Sequence, residues 1–257
     1  MDERYNILQH CQHEWEEIEN KNVCKKCGAK NLILKNTDKL GLKIGIKDDG
    51  TNYSVRDNRK RYFFPFEWIN FYNSLDELHK PLFYTLIMTG ARIEEALRIK
   101  VNSFRWDRNY LTLYVTKIKA KKKETKPEPR DISLSTPYIK FIKKYIKEKN
   151  LSDLDYLFIN INKDIDKQIN SFSVNYRVIL KEHLKKLNIS DYYNFSLHNI
   201  RKTHGMWLKA LNIKLEEICQ RLGHDANTYL KHYGSADIFK PNDLTQMKLI
   251  LGDIYGM

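Results

Sequence analysis

At Phe63 the hydrophobic pattern of this 257-residue chain changes period. Before it, Leu40, Leu42, Ile44 and Ile46 alternate with other residues, Asp48-Asp49-Gly50 signals a turn, and Tyr53 and Val55 resume the alternation. A period of two is that of strands, here a hairpin over residues 31–57. After Phe63, PFEWINFYNSL, ELHKPLFYTLIMTG and RIEEALRIK space their apolar residues as helices do. YLTLYVT (110–116) and RDISLS (130–135) read as strands flanking a polar hairpin. A helix is expected from Thr136 as cap, with Pro137 in its first position and Ile142, Tyr145 and Ile146 on its inner face. Another is expected from about Ser171 to Leu187, and three more helical patterns break at Asn212, Gly223 and Pro241. The expected fold is α+β and mainly helical: a small β module over 1–58, then a domain over 59–257 with a small antiparallel sheet. The basic run Arg59-Lys60-Arg61 reads as the linker.

The front module is too small to carry a large core, and its cysteines supply an alternative. Three of the four cysteines lie within the first 27 residues, as Cys11-x-His13, ten residues, then Cys24-x-x-Cys27. Two thiolates two residues apart wrap one tetrahedral ion on a tight knuckle, and Gly28 suits the turn that follows. Cys11 and His13 share one side of an extended segment and complete the tetrahedron, with His10 as the substitute for His13. The expectation is a structural zinc on Cys11, His13, Cys24 and Cys27. Cys219, in LEEICQRLG, reads as a small buried hydrophobe.

Charge points to the partner. Lys and Arg number 45 against 32 Asp and Glu, a net +13. With a pI of about 9.4, that balance favours a polyanion, nucleic acid before a membrane. No stretch approaches the roughly 18–20 apolar residues of a membrane span, and the N-terminus lacks the apolar core of a secretory signal. A cytoplasmic protein, of a prokaryotic host cell or a virus-infected one, is expected.

Three fragments place polar groups where amphipathic helices need none: TGARIEEALRIK, SLHNIRKTHGMWL and LGHDANTYLKHYG. Arg92 follows Thr89-Gly90 at a helix start. His198 and Arg201 are three apart, hence on one helical face. His224 follows a glycine, and Tyr233 lies nine residues on. Two arginines can clamp the non-bridging oxygens of a phosphodiester and offset charge in a pentacoordinate transition state. A tyrosine can attack phosphorus and split one hard step into two easier ones.

Arg…His-x-x-Arg…Leu-Gly-His…Tyr, in this order and context from about Phe63 to Ser235, resembles the motif boxes of the tyrosine recombinases, the phage-type integrases. The resemblance implies that Arg92 and Arg201 hold the scissile phosphate. It makes Tyr233 the nucleophile of a 3′-phosphotyrosine link that releases a 5′-hydroxyl. It gives His198 proton transfer and phosphate holding, and His224 a hydrogen bond to a phosphoryl oxygen. Glu95 matches an acidic position of the first box, either orienting its neighbours or forming an ordinary salt bridge. The family's general acid is a lysine on a β-hairpin. Lys117 fits that place best, with Lys119 and Lys121 as alternatives in a segment, 117–130, of seven basic and two acidic residues. No catalytic metal and no nucleotide are implied.

The departure from the family is at the front, where Arg92 comes too early for the usual helical core-binding domain; the zinc-knuckle module stands in its place. The implied function is site-specific cutting and rejoining of DNA for a virus or mobile element, by a homo-tetramer on DNA. The alternatives are a type IB topoisomerase-like enzyme and a non-catalytic zinc-containing DNA-binding regulator. Leu244, Met247, Leu251 and Ile254 form a helical stripe that would dock on a neighbouring protomer or on its own domain.

Overall fold

The structure is a computed structural model that describes residues 14–18, 21–25, 30–31, 43–46, 52–55, 61–114, 129–159, 164–189, 192–223, 225–227, 229 and 238–254. The chain divides into two compact units, Met1–Arg59 and Lys60–Met257.

Apart from Glu14 and Lys25, the described residues of the first unit are strand. β1 (Trp15–Ile18), β2 (Lys21–Cys24) and β3 (Lys30–Asn31) form an antiparallel sheet in that order. β4 (Lys43–Ile46) and β5 (Asn52–Val55) form a separate antiparallel pair in which Lys43 faces Val55 and Ile46 faces Asn52. The pair falls inside the expected hairpin. The three-stranded sheet was not anticipated, because WEEI and KNVC are short and largely polar.

The second unit is mainly helical, with one small sheet. α1 (Pro65–Ser74), α2 (Lys80–Thr89) and α3 (Ile93–Leu97) lead into β6 (Phe104–Arg105), β7 (Tyr110–Leu113) and β8 (Arg130–Ser133), an antiparallel sheet in sequence order. α4 (Thr136–Glu148), α5 (Ile165–Lys186), α6 (Leu197–Ala210), α7 (Leu215–Leu222) and α8 (Pro241–Leu251) follow. α2 lies at the centre: Leu82, Phe83, Leu86, Ile87 and Met88 are all buried, and the helix packs on α1, α3, α4 and α6. Such a helix, apolar nearly all round, belongs inside a domain. The entry to the unit is fastened to α6. Thr203 Oγ1 accepts from the Phe63 amide at 2.9 Å, Trp207 Nε1 donates to the Phe63 carbonyl at 3.0 Å, and Asn199 Nδ2 donates to the Arg61 carbonyl at 2.6 Å.

Local chemistry moves two helix starts. In the fourth helix Ser135 rather than Thr136 holds the N-cap position, without a side-chain capping bond, and the Thr136 amide and hydroxyl donate to the Asp253 carboxylate at 2.6 and 2.5 Å. α5 begins at Ile165, well before Ser171, because the Asp164 carboxylate accepts from the amides of Asp166 and Lys167. The stripe on α8 packs on its own unit, against α1 and α6, with Met247, Leu251 and Ile254 buried.

Candidate active site

The site starts from a helix that has to end abruptly. α2 stops at Gly90, whose φ of 63° is left-handed. A Cβ there would lie 2.6 Å from His204 Cδ2 and 2.8 Å from Leu222 Cδ2, so glycine is required for space as well as for conformation. Two residues later Arg92 caps α3 in extended geometry, and Glu95 turns back to accept from the Arg92 amide at 2.8 Å. The same carboxylate accepts from Arg92 Nη1 at 2.8 Å.

Glu95 is a hub. Its side chain is fully buried, and Arg130 grips it with both terminal nitrogens, Nη1 to Oε1 at 3.2 Å and Nη2 to Oε2 at 2.6 Å. Arg201 Nη1 lies 3.9 Å from Oε2. Burial pushes the Glu95 pKa up, but the hydrogen bonds and charge of Arg130, the Arg92 amide and the Arg201 charge outweigh it and hold the carboxyl down at about 2. Glu95 is therefore ionised at any working pH.

The arginines are fixed by helix ends. Arg201, buried on α6, donates from Nη1 to the Gly90 carbonyl at 2.8 Å and from Nη2 to the Leu222 carbonyl at the end of α7. Arg221, also buried, donates to the Met88 carbonyl at 2.6 Å, the Ser133 carbonyl at 2.7 Å and His204 Nε2 at 2.8 Å. His204 Nδ1 in turn lies 2.6 Å from the Ile87 carbonyl. Because Nε2 accepts from Arg221, the ring carries its proton on Nδ1 and is neutral. Burial first, then the Arg221 charge, lowers its pKa well below the ordinary value. The last carbonyls of a helix have no partner within it and carry about half a negative charge together, so cations suit them. Among the described residues four arginines and one carboxylate converge here, an excess of positive charge that suits an anion.

Of the residues expected in the site, Arg92, His198 and Arg201 are described. Arg92 and Arg201 meet at one carboxylate. His198 lies on α6, three residues before Arg201 but on its exposed side, whereas Arg201 is buried. Lys117, Lys119, Lys121, His224 and Tyr233 lie outside the described residues, as do Cys11, His13 and Cys27. Arg130, Arg221 and His204 were missed. For two of them the sequence carried a signal: strand alternation in RDIS puts Arg130 on the face of Ile132, and Arg221 is at helical spacing from Ile218; both are buried.

The phage integrase family model matches residues 68–238, two thirds of the chain and a span holding Arg92, Lys117, His198, Arg201, His224 and Tyr233. The chain belongs to the phage integrase family. Solved tyrosine recombinases share the fold of this integrase-family chain. The XerA recombinase is 17% identical with a TM-score of 0.53, the alignment covering 74% of this chain and 64% of that one. The Tn1549 transposon integrase, in complex with transposon right-end DNA, is 15% identical with a TM-score of 0.51, covering 74% and 65%. The XerH recombinase in a post-cleavage complex with palindromic difH DNA is 16% identical with a TM-score of 0.51, covering 82% and 62%. The integrase-family chain thus spans less than two thirds of the length of each. No curated protein matches it. Among the described residues no helix is long and apolar enough to cross a membrane.

Proposed function

We propose that this chain is a DNA strand-transferase, a site-specific integrase or recombinase of a virus or mobile element, acting on double-stranded DNA as a homo-tetramer. The observation that carries the reading is the meeting of Arg92 and Arg201, far apart in sequence, at the single carboxylate of Glu95. In the proposed reaction the arginines take the non-bridging oxygens of the scissile phosphodiester. The Tyr233 phenol loses its proton, with His198 assisting, and its oxygen bonds to phosphorus as the P–O5′ bond breaks. Lys117 gives a proton to the departing 5′-oxygen, and His224 donates a hydrogen bond to a phosphoryl oxygen. A second 5′-hydroxyl reverses the step, and the phosphotyrosine conserves the bond energy, so rejoining needs no nucleotide.

The front module is proposed to hold a structural zinc on Cys11, His13, Cys24 and Cys27. Backbone register supports this. Trp15 faces Cys24, and the Lys25 amide donates to the Glu14 carbonyl at 2.8 Å. Along the sequence His13 adjoins Glu14, and Cys27 is two residues past Lys25.

The test uses nicked suicide duplexes carrying the end sequences of the DNA element that encodes the chain. A covalent protein–DNA adduct on the 3′ side, followed by joining to a second duplex, is expected. Absence of any adduct would leave a DNA-binding regulator. Adduct without joining to a second duplex, together with relaxation of a separate supercoiled plasmid, would make it a topoisomerase.

A further inference from the structure

The reaction above gives Arg130 no part, yet its side chain touches the elements that carry the other groups. Both terminal nitrogens bind Glu95, and Nε donates to the Arg221 carbonyl near the end of α7 at 3.0 Å. The stem runs against Gly223, where a Cβ would lie 3.3 Å from Arg130 Cδ and 3.4 Å from Nη1. Gly223 directly precedes His224. At its own backbone Arg130 opens β8 and pairs with Leu113 of β7, the strand that leads towards Lys117.

With Nε and both terminal nitrogens taken, and 8% of its surface exposed, Arg130 is placed to hold neighbours rather than to touch DNA. The charge geometry says what it holds. A buried carboxylate must be paired, and Arg92 and Arg201 are the other cations within its reach. Were Arg130 absent, Glu95 would draw both of them more fully to itself, away from a phosphate. A planar guanidinium can occupy both carboxylate oxygens at once; a lysine ammonium cannot do so with the same geometry.

We propose that Arg130 is a positioning residue for strand transfer: it neutralises and orients Glu95 so that Arg92 and Arg201 converge on one phosphate, and it ties the strand after the lysine-rich segment to the turn before His224. This rests on the strand-transfer reading, and the experiment separates the two. Arg130→Met and Arg130→Lys are compared with the unaltered chain in single-turnover adduct formation on the nicked duplex, with DNA affinity and thermal melting measured alongside. Each protein is also given a duplex whose scissile phosphate is replaced by a neutral methylphosphonate, which no longer needs its charge offset. A small misplacement of a charge clamp costs about 10²-fold in rate. Arg130→Met should therefore lose about that factor on the phosphate, with affinity nearly unchanged, and lose only a few-fold on the methylphosphonate. Arg130→Lys should fall between. Equal losses on the two substrates, or no loss on either, overturn the proposal. If Arg130→Met does not fold, Arg130→Lys decides by the same comparison. Failure of the unaltered chain to form any adduct on the phosphate duplex instead sinks the strand-transfer reading and this proposal with it.

Discussion

The phenol of Tyr229 donates to the Gly205 carbonyl at 3.0 Å, and its ring is buried against α6. Two tyrosines, Tyr229 and Tyr233, stand in the segment that should supply the nucleophile, four apart and so on one face of any helix. The Gly205 bond commits Tyr229 to packing. Tyr229→Phe should cost about 1 kcal/mol of stability and retain the DNA adduct. Tyr233→Phe should abolish the adduct and leave DNA binding nearly intact. Peptide mapping of the adduct checks both, and a nucleotide found on Tyr229 would reverse the assignment.

Gly90 stands where conformation and space both exclude a side chain. Gly90→Ala would force a left-handed alanine and push a methyl onto the His204 ring and Leu222, whose atoms lie 2.6 and 2.8 Å from the Cβ position. Backbone strain costs roughly 1–3 kcal/mol and overpacking of a tight core a similar amount, so a total of about 2–6 kcal/mol is expected. The Gly90 carbonyl also receives Arg201, so adduct formation should fall more than stability alone predicts. Denaturant unfolding and single-turnover cleavage of the same variant separate the two effects.

Part of the described site was legible in the sequence, and the boundary is physical. Arg92 at a helix start followed from Thr89-Gly90, and helical spacing put His198 and Arg201 on one helix, though His198 is exposed there and Arg201 buried. That Arg201 would be buried, bonded to the carbonyls of Gly90 and Leu222, was not legible, because backbone carbonyls leave no trace in a residue pattern and these belong to distant elements. Arg130 was readable as an inward residue but not as a partner of Glu95, since strand alternation gives the face and not the neighbour. The start of α5 was lost because only Ile165 and Ile169 mark its first turns, while the polar Asp164 sets the boundary. For α8 the apolar stripe was plain, and only the surface it covers had to be seen.

His204 gives the domain a pH dependence. Its pKa is lowered by burial and by the Arg221 charge, so the unfolded chain binds a proton that the folded chain refuses. Stability then rises with pH up to the unfolded value of about 6.5, and acidification below it should cost up to about 1.4 kcal/mol per pH unit. Glu95 acts in the opposite range. With its folded pKa at about 2, its contribution is complete above the unfolded carboxylate value and is lost only as pH falls from about 4.3 through about 2. Between pH 6.5 and 5 the histidine should dominate, with the partly buried His183, also lowered chiefly by burial, adding a smaller slope of the same sign. Unfolding free energies across that window should flatten in His204→Gln. An unchanged slope would show that the ring is not held neutral.

The front module should depend on its metal. The proposed zinc has no large core to replace it, so removing a thiolate removes folding energy. Cys24→Ser should lower the metal content of purified protein from about one zinc per chain towards zero and make residues 1–58 sensitive to protease. The helical circular dichroism of residues 59–257 should persist. Protein purified without chelator and carrying no metal would remove the zinc from the description.

Arg92 and Arg201, assigned to the same phosphate, should behave differently when removed. The Arg92 side chain is 30% exposed, and Glu95 keeps Arg130 when Arg92 is lost. Arg92→Ala should therefore cost about 1 kcal/mol or less in stability while depressing adduct formation by roughly 10²–10³-fold, the usual scale for one charge-stabilising donor. Arg201 is fully buried, and its removal strands the carbonyls that end α2 and α7 as well as part of the charge balance around Glu95. Arg201→Ala should cost roughly 3–5 kcal/mol, enough to unfold a marginal domain. Arg201→Lys keeps the charge but cannot span both carbonyls in one plane, so it should recover stability in part and activity hardly at all. Melting temperatures and adduct rates measured on all three variants test the division: equal destabilisation by Arg92→Ala and Arg201→Ala would mean that the helix ends do not depend on Arg201.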